Sequence, residues 1–220
     1  MGVGCHIIRY FIACLLFADD MSLIAPTRES LQQLLDVCAK YCQEFCLHFN
    51  VGKTKVMIFG KLSNNPSLVA NISFQGITLD YVKSCRYLGF HIVSSTHFKL
   101  SIHEDLCGFF ASANSILSSM HKPPETVLMQ LLYSNCIPRL TYGAAIKQLN
   151  ASEKQQFNVA VNNAIRRIFG FRRWQSIRQL RECYGYKPIE VMFAQAKSRF
   201  FSSLSCHQNA VLRFLSTLEV

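Results

Sequence analysis

Along these 220 residues the apolar positions keep one period for about the first hundred and another afterwards. Phe11-Ile12-Ala13-Cys14-Leu15-Leu16 and Met21-Ser22-Leu23-Ile24-Ala25 are short apolar runs on either side of Phe17-Ala18-Asp19-Asp20. Such runs around a polar break read as two strands joined by a tight turn, with the Asp19-Asp20 pair at its tip. Pro26-Thr27 opens a helix, with Thr27 as cap and Glu29 in the first turn, running to about His48. Asn50 and Gly52 are stop signals, and Lys53-Thr54-Lys55-Val56-Met57-Ile58-Phe59 alternates as a strand. A loop over 61–67 leads to a hairpin, Ile72-Ser73-Phe74 against Ile77-Thr78-Leu79 across Gln75-Gly76. A strand over 85–92 follows, in which Gly89 marks a bend or a close backbone approach.

From about Ser101 the period is 3.6. Leu106, Phe109, Phe110, Ala113, Ile116, Leu117 and Met120 mark a helix that Lys122-Pro123-Pro124 closes. Val127, Leu128, Leu131, Leu132 and Tyr133 begin another, interrupted near Pro138. A third spans about 152–169, with Phe157, Val161, Ala164, Ile165 and Ile168 on one side. Strands and turns first, helices after, is an α+β order.

Composition sharpens this picture. Half the residues are hydrophobic and only 16% charged, which excludes a disordered chain. The net charge of +10 is uneven: residues 1–150 carry twelve Lys and Arg against nine Asp and Glu, and residues 151–220 carry eleven against four. A basic end of this kind suits a phosphate-rich or anionic partner, or forms a solvated helical face. Arg166, Arg167, Arg172, Arg173, Arg178 and Arg181 stand there among Phe169, Phe171 and Trp174. Planar guanidinium groups bind phosphate and aromatic rings stack on bases, but the same spacing also fits core aromatics beneath solvated arginines.

The ten cysteines include no C-x-x-C pair. Cys38, Cys42 and Cys46 share the four-residue spacing of Leu31, Leu34, Leu35, Phe45 and Phe49, so they read as buried thiols on a core-facing stripe in an intracellular chain, nuclear or cytoplasmic. Arg9 followed by Tyr10 to Ala18 has the order of a short signal peptide, but the run stops at two aspartates without a small-residue cleavage site. Met1-Gly2 is no myristoylation start, because His6 stands where Ser or Thr is wanted. No run of about 20 apolar residues spans a bilayer, so no membrane partner is expected.

The chemistry to explain is the Asp19-Asp20 pair. Asp-Asp is a poor turn former, and adjacent like charges repel unless something compensates. A divalent cation does so: Mg²⁺ is held by one or two carboxylates, waters and substrate phosphates, and two such ions drive in-line phosphoryl displacement. An acidic, solvated turn is the plain alternative.

Three stretches in order favour the metal. Phe17-Ala18-Asp19-Asp20 resembles the metal-binding motif of reverse transcriptases in the form used by non-LTR (LINE-type) retrotransposons. Phe49-Asn50-Val51-Gly52-Lys53-Thr54-Lys55 resembles the asparagine and lysine motif that follows the palm helix, and Tyr87-Leu88-Gly89-Phe90 the primer-grip hairpin. Gly2-Val3-Gly4-Cys5-His6-Ile7 is similar to the segment leading into the Asp-Asp hairpin. The resemblance implies a partial palm over 1–97, a helical thumb over 98–149 that includes Tyr142-Gly143, and a basic helical region over 150–220. It implies Asp19 as the principal Mg²⁺ ligand, Asp20 as an assisting carboxylate, and Lys53 near the leaving pyrophosphate. Tyr87, Leu88 and Gly89 would hold the primer end, with an RNA template and a DNA primer as partners. For Lys53 a solvated strand-edge role stays open, and for Tyr87 a core role.

The family places a further metal-binding aspartate on an earlier palm strand, and this sequence begins after it. The expectation is that the chain alone does not polymerise DNA, and that an uncovered palm edge makes it aggregate or recruit a partner. Two other readings remain: a non-catalytic basic nucleic-acid-binding protein and, ranked last, a structural or membrane-associated one.

Overall fold

The structure is a computed structural model that describes residues 2–8, 10–119 and 123–217. The expectations placed on Met1, Arg9, Met120 and Lys122 lie outside the described residues. The chain divides into two compact units, Met1–Leu100 and Ser101–Val220. Strands fall in the first, and helices make up the second, an α+β chain.

The first unit is a set of small strand pairs around one helix. β1 (Cys5–Ile7) pairs with β2 (Tyr10–Ile12), and β3 (Cys14–Phe17) with β4 (Asp20–Leu23), both antiparallel. α1 (Arg28–Glu44) follows, its first turn closed by Thr27, whose hydroxyl accepts from the Ser30 N–H. The helix ends four residues before the predicted His48, and Cys46 takes positive φ beyond it. The cysteine stripe therefore holds only in part: Cys42 is buried, Cys38 half-buried, and Cys46 and Phe45 are exposed.

The strand predicted over 53–59 shrinks to β5 (Lys55–Val56) because Asn50 draws Lys53 and Thr54 into a turn. After β6 (Ser73–Phe74) and β7 (Ile77–Thr78), β8 (Asp80–Tyr81) runs parallel to β5. β9 (Ser84–Tyr87), β10 (Phe90–Val93) and β11 (Lys99–Leu100) form a three-stranded sheet. The single strand predicted over 85–92 is thus a hairpin. Leu35, Val56, Ile72, Phe74 and Leu79 form the core, with Leu23, Leu31 and Phe49 packed against it. The Gln32 amide locks α1 to the β6 edge, donating to Ser73 O at 2.8 Å and accepting from Ser73 N–H at 3.0 Å.

The second unit begins with α2 (His103–Ser119), whose Phe109 and Ala113 are buried while Phe110 turns out to solvent, off the predicted face. α3 (Glu125–Leu131) continues through a wide π turn at Leu132–Cys136 into α4 (Ile137–Thr141). The interruption predicted near Pro138 is this π turn, which widens the helical ladder just before the proline without ending the helical run, and Ile137 N–H reaches back to Leu132 O. α5 (Ala151–Ile168) opens on a capping box between Asn150 and Glu153. α6 (Arg178–Cys183), α7 (Ile189–Ser205) and α8 (Ala210–Leu215) complete it. One core runs from Ile102 through Phe109, Leu140, Phe157, Val161 and Ile165 to Phe193.

Candidate functional site

The carboxylate hairpin is rooted at its base and bare at its tip. At the base, Leu23 packs on the first unit's core and Ile24 N–H donates to Ala13 O at 2.8 Å. Cys14 lies beside Cys38 of α1, whose thiol is pushed up by burial first and then by Cys14 and Cys42. Toward the tip, all four residues of β3 are exposed, Leu16 by 73% and Phe17 by 64%.

Phe17 pairs directly with Asp20, so the two apex residues are Ala18 and Asp19, one position earlier than predicted. Asp20 opens the return strand. Of the two apex residues only Ala18 takes positive φ, at 51°, the pattern of a II′ turn in which glycine is usual. Both aspartates are exposed, and neither carboxylate has a hydrogen-bond or ion-pair partner among the described residues. The acidic pair is therefore exposed where a two-residue turn meets its return strand.

Asn50 organises the second motif. Its side-chain oxygen accepts from Lys53 N–H at 3.1 Å, and its carbonyl accepts from Lys53 N–H, Thr54 N–H and the Thr54 hydroxyl. Lys53 is exposed in that turn rather than on a strand, and no ion pair joins it to Asp19 or Asp20. In the third motif Tyr87 pairs with Phe90, and Leu88 and Gly89 form the turn between them. Both take positive φ, 47° and 81°, as a I′ turn requires, so Gly89 serves a tight reversal. Tyr87 and Leu88 are half-buried and Gly89 is exposed.

Among the described residues no group of three His, Cys, Asp or Glu side chains converges as a metal site. Asp19 and Asp20 are two exposed hard oxygen donors, the number of carboxylates that Mg²⁺ takes beside waters and substrate phosphates.

Residues 5–92 match the family model for reverse transcriptase (RNA-dependent DNA polymerase). This stretch is reverse transcriptase-like. The matched interval holds the Ala18-Asp19 apex with Asp20 beside it, the Asn50 turn and the Leu88-Gly89 turn, and lies wholly within the first unit. An uncharacterized transposon-derived protein of Caenorhabditis elegans is 26% identical over 155 residues, covering 70% of this chain and 55% of that relative. The chain thus spans little more than half of that relative's length. Among the described residues no helix is long and apolar enough to cross a membrane.

Outside the reverse transcriptase-like stretch, the basic end divides by role. Arg166 donates to Gln175 O at 3.1 Å and to Asn163 Oδ1 at 3.2 Å, and Arg167 donates to Asn114 Oδ1. These two guanidinium groups brace the structure. Arg172 lies 5.6 Å from the centre of the Trp174 ring, and Arg173 has no hydrogen bond or ion pair among the described residues. Arg178 pairs with Glu182, and Arg181 stands over the Tyr186 ring.

Two buried polar groupings escape a reading of the sequence. Lys147 Nζ lies 2.7 Å from Asp105 Oδ2, their side chains only 2% and 16% exposed. The signal for it is a lone lysine within the apolar run from Tyr142 to Leu149. Tyr133 and Tyr186 stack edge-on at 5.4 Å, and neither hydroxyl has a partner among the described residues. Burial raises both phenols, that of Tyr133 to about 12, against a smaller opposing pull from Arg181. No residue pattern announces that pair.

Proposed function

We propose that the chain is a palm and thumb piece of a reverse transcriptase from a non-LTR (LINE-type) retrotransposon. In this reading residues 1–97 are part of the palm, 98–149 the thumb and 150–220 a basic helical region. The intact enzyme joins nucleotides on an RNA template from a DNA primer. The carrying observation is the exposed pair of Asp19, on a two-residue turn, and Asp20, at the start of the strand after it, within the interval that matches the reverse transcriptase family. Asp19 and Asp20 would hold Mg²⁺, which when bound neutralises charge on the reacting phosphates. Lys53 would stand near the leaving pyrophosphate, and Tyr87, Leu88 and Gly89 along the primer end. In this reading the two-ion site takes a further carboxylate, no third His, Cys, Asp or Glu side chain joins the pair among the described residues, and the chain alone does not extend a primer.

Primer extension on an RNA template with Mg²⁺ tests this. The bare chain should give no product, a chimera preceded by an aspartate-bearing palm strand should give product, and Asp19→Ala in the chimera should abolish it. Extension by the bare chain would defeat the need for that further carboxylate. A chimera indifferent to Asp19→Ala would defeat the site assignment.

A second reading, a non-catalytic nucleic-acid-binding protein, draws on a different observation: residues 154–181 hold Lys154 and six arginines and no Asp or Glu. Binding that weakens with salt and is lost when Arg166, Arg167, Arg172 and Arg173 are neutralised, but not in Asp19→Ala, would favour it.

A further inference from the structure

The chain holds one tryptophan, Trp174, and it is 78% exposed. An indole is a large apolar surface to leave in water, and this one stands on a loop fixed from several directions. α5 ends with Gly170 at φ 66° and with Phe171 N–H bonded to Arg166 O at 2.8 Å, the wrap that stops a helix sharply. Arg172 N–H donates to Gln175 Oε1 at 2.6 Å, while Gln175 N–H donates back to Arg172 O at 3.0 Å. The Arg166 guanidinium holds Gln175 O from the helix side, and buried Ile177 anchors the exit. The loop is thus ordered before any partner arrives, which lowers the entropy cost of binding.

We propose that residues 171–175 are a stacking loop for single-stranded nucleic acid, taking an unpaired base on Trp174 and its phosphates on Arg172 and Arg173. Arg172 already lies against the indole ring, and the exposure of Trp174 leaves it a free face. Arg173 has no internal ion pair among the described residues. The surrounding stretch from 154 to 181 has no carboxylate to repel a phosphate chain. A single strand fits better than a duplex, because base faces are open only where bases are unpaired. Neither stacking nor phosphate pairing touches the sugar 2′ position, so RNA and DNA should bind alike. Arg166 and Arg167 are positioning residues here, spent on Gln175, Asn163 and Asn114. The proposal rests on the nucleic-acid-binding reading of the basic end and is independent of the polymerase reading.

Because Trp174 is the sole tryptophan, its fluorescence in the full chain reports on the loop directly. Oligothymidylate and oligouridylate should quench it equally, with duplex DNA of the same length and phosphatidylserine vesicles giving little change. Anisotropy of a labelled oligonucleotide should show Trp174→Ala weakening binding by about tenfold and Trp174→Phe retaining most of it. Arg172→Gln with Arg173→Gln should lower the salt slope by about 1.4, or roughly 0.7 per lost phosphate contact. Salt-sensitive binding without quenching would overturn the loop assignment and leave the broader reading standing. Equal quenching by duplex, or quenching by vesicles alone, would also overturn it. Absence of any salt-sensitive binding would sink both.

Discussion

The two units are built on opposite principles. The second has a core of eighteen buried residues among those described, reaching from Ile102 to Phe193, whereas the first has a buried cluster of five. The first unit instead depends on tight reversals: Ala18, Gln75-Gly76 and Leu88-Gly89 all take positive φ at hairpin turns. Several of its large apolar side chains, including Ile8, Phe11, Leu15, Leu16 and Phe17, remain exposed. A unit shaped by turns presents exposed side chains at apices, and one shaped by a core presents them on loops between helices. Asp19, at one apex, and Trp174, on one loop, are the respective cases.

The sharpest way to break this contrast is to change one large side chain in each unit. Phe157→Ala, at a fully buried position, should cost about 3–5 kcal/mol of stability in denaturant unfolding. Leu16→Lys should leave the melting temperature within a degree or so, because surface changes are worth about 0.5 kcal/mol or less. The same variant should lower light scattering of the full chain, since the exposed β3 edge invites association. Equal destabilisation by both would show that the first unit's apolar residues carry as much of the stability as the second's.

Next in size is the buried ion pair. Lys147→Ala should destabilise by about 3–5 kcal/mol, because it takes this countercharge from the Asp105 carboxylate in a poorly hydrated place. Lys147→Met combined with Asp105→Leu should recover most of that loss, and a double variant no better than the single would point to a structural need for the charges themselves.

The smallest effect concerns alkali. The Tyr133 phenol is raised to about 12 in the folded chain, chiefly by burial, from the 10.0 that is ordinary for a solvated tyrosine. Its stabilising contribution is complete below pH 10 and is lost as pH rises from 10 toward 12, because the unfolded chain releases the proton first. Tyr133→Phe should therefore flatten the alkaline fall in melting temperature while changing little near neutrality, where the hydroxyl has no partner to lose. An unchanged alkaline limb would contradict this.

Local signals are legible wherever one residue type sets the backbone. Thr27 as a cap, the Gln75-Gly76 turn and the Phe157 to Ile168 stripe all stand where the pattern predicts them. What stays hidden depends on partners distant in sequence. The hairpin at Leu88-Gly89 reads from residue pattern alone as a bend in one strand, because Cys85 and Ile92 pair only once the chain has reversed. The apex shift from Asp19-Asp20 to Ala18-Asp19 is a choice of register, which the flanking apolar runs leave open by one residue. For the candidate site, residue types are visible in the sequence and exposure is not. The four clustered arginines look equivalent there, yet two are tied to amide side chains or backbone and two face outward.

The wide turn at Leu132–Cys136 has a consequence for how α3 and α4 face the protein interior. Leu128, Leu132, Cys136 and Leu140 are all buried at a strict four-residue interval. A regular α-helix advances about 100° per residue, so that interval would wander by about 40° each step and about 120° by its end. The extra residue in the π turn winds the chain back, keeping Leu140 in line with Leu128. The bulge acts as a gear correction, and deleting one residue from it would swing everything downstream away from the neighbours it now meets.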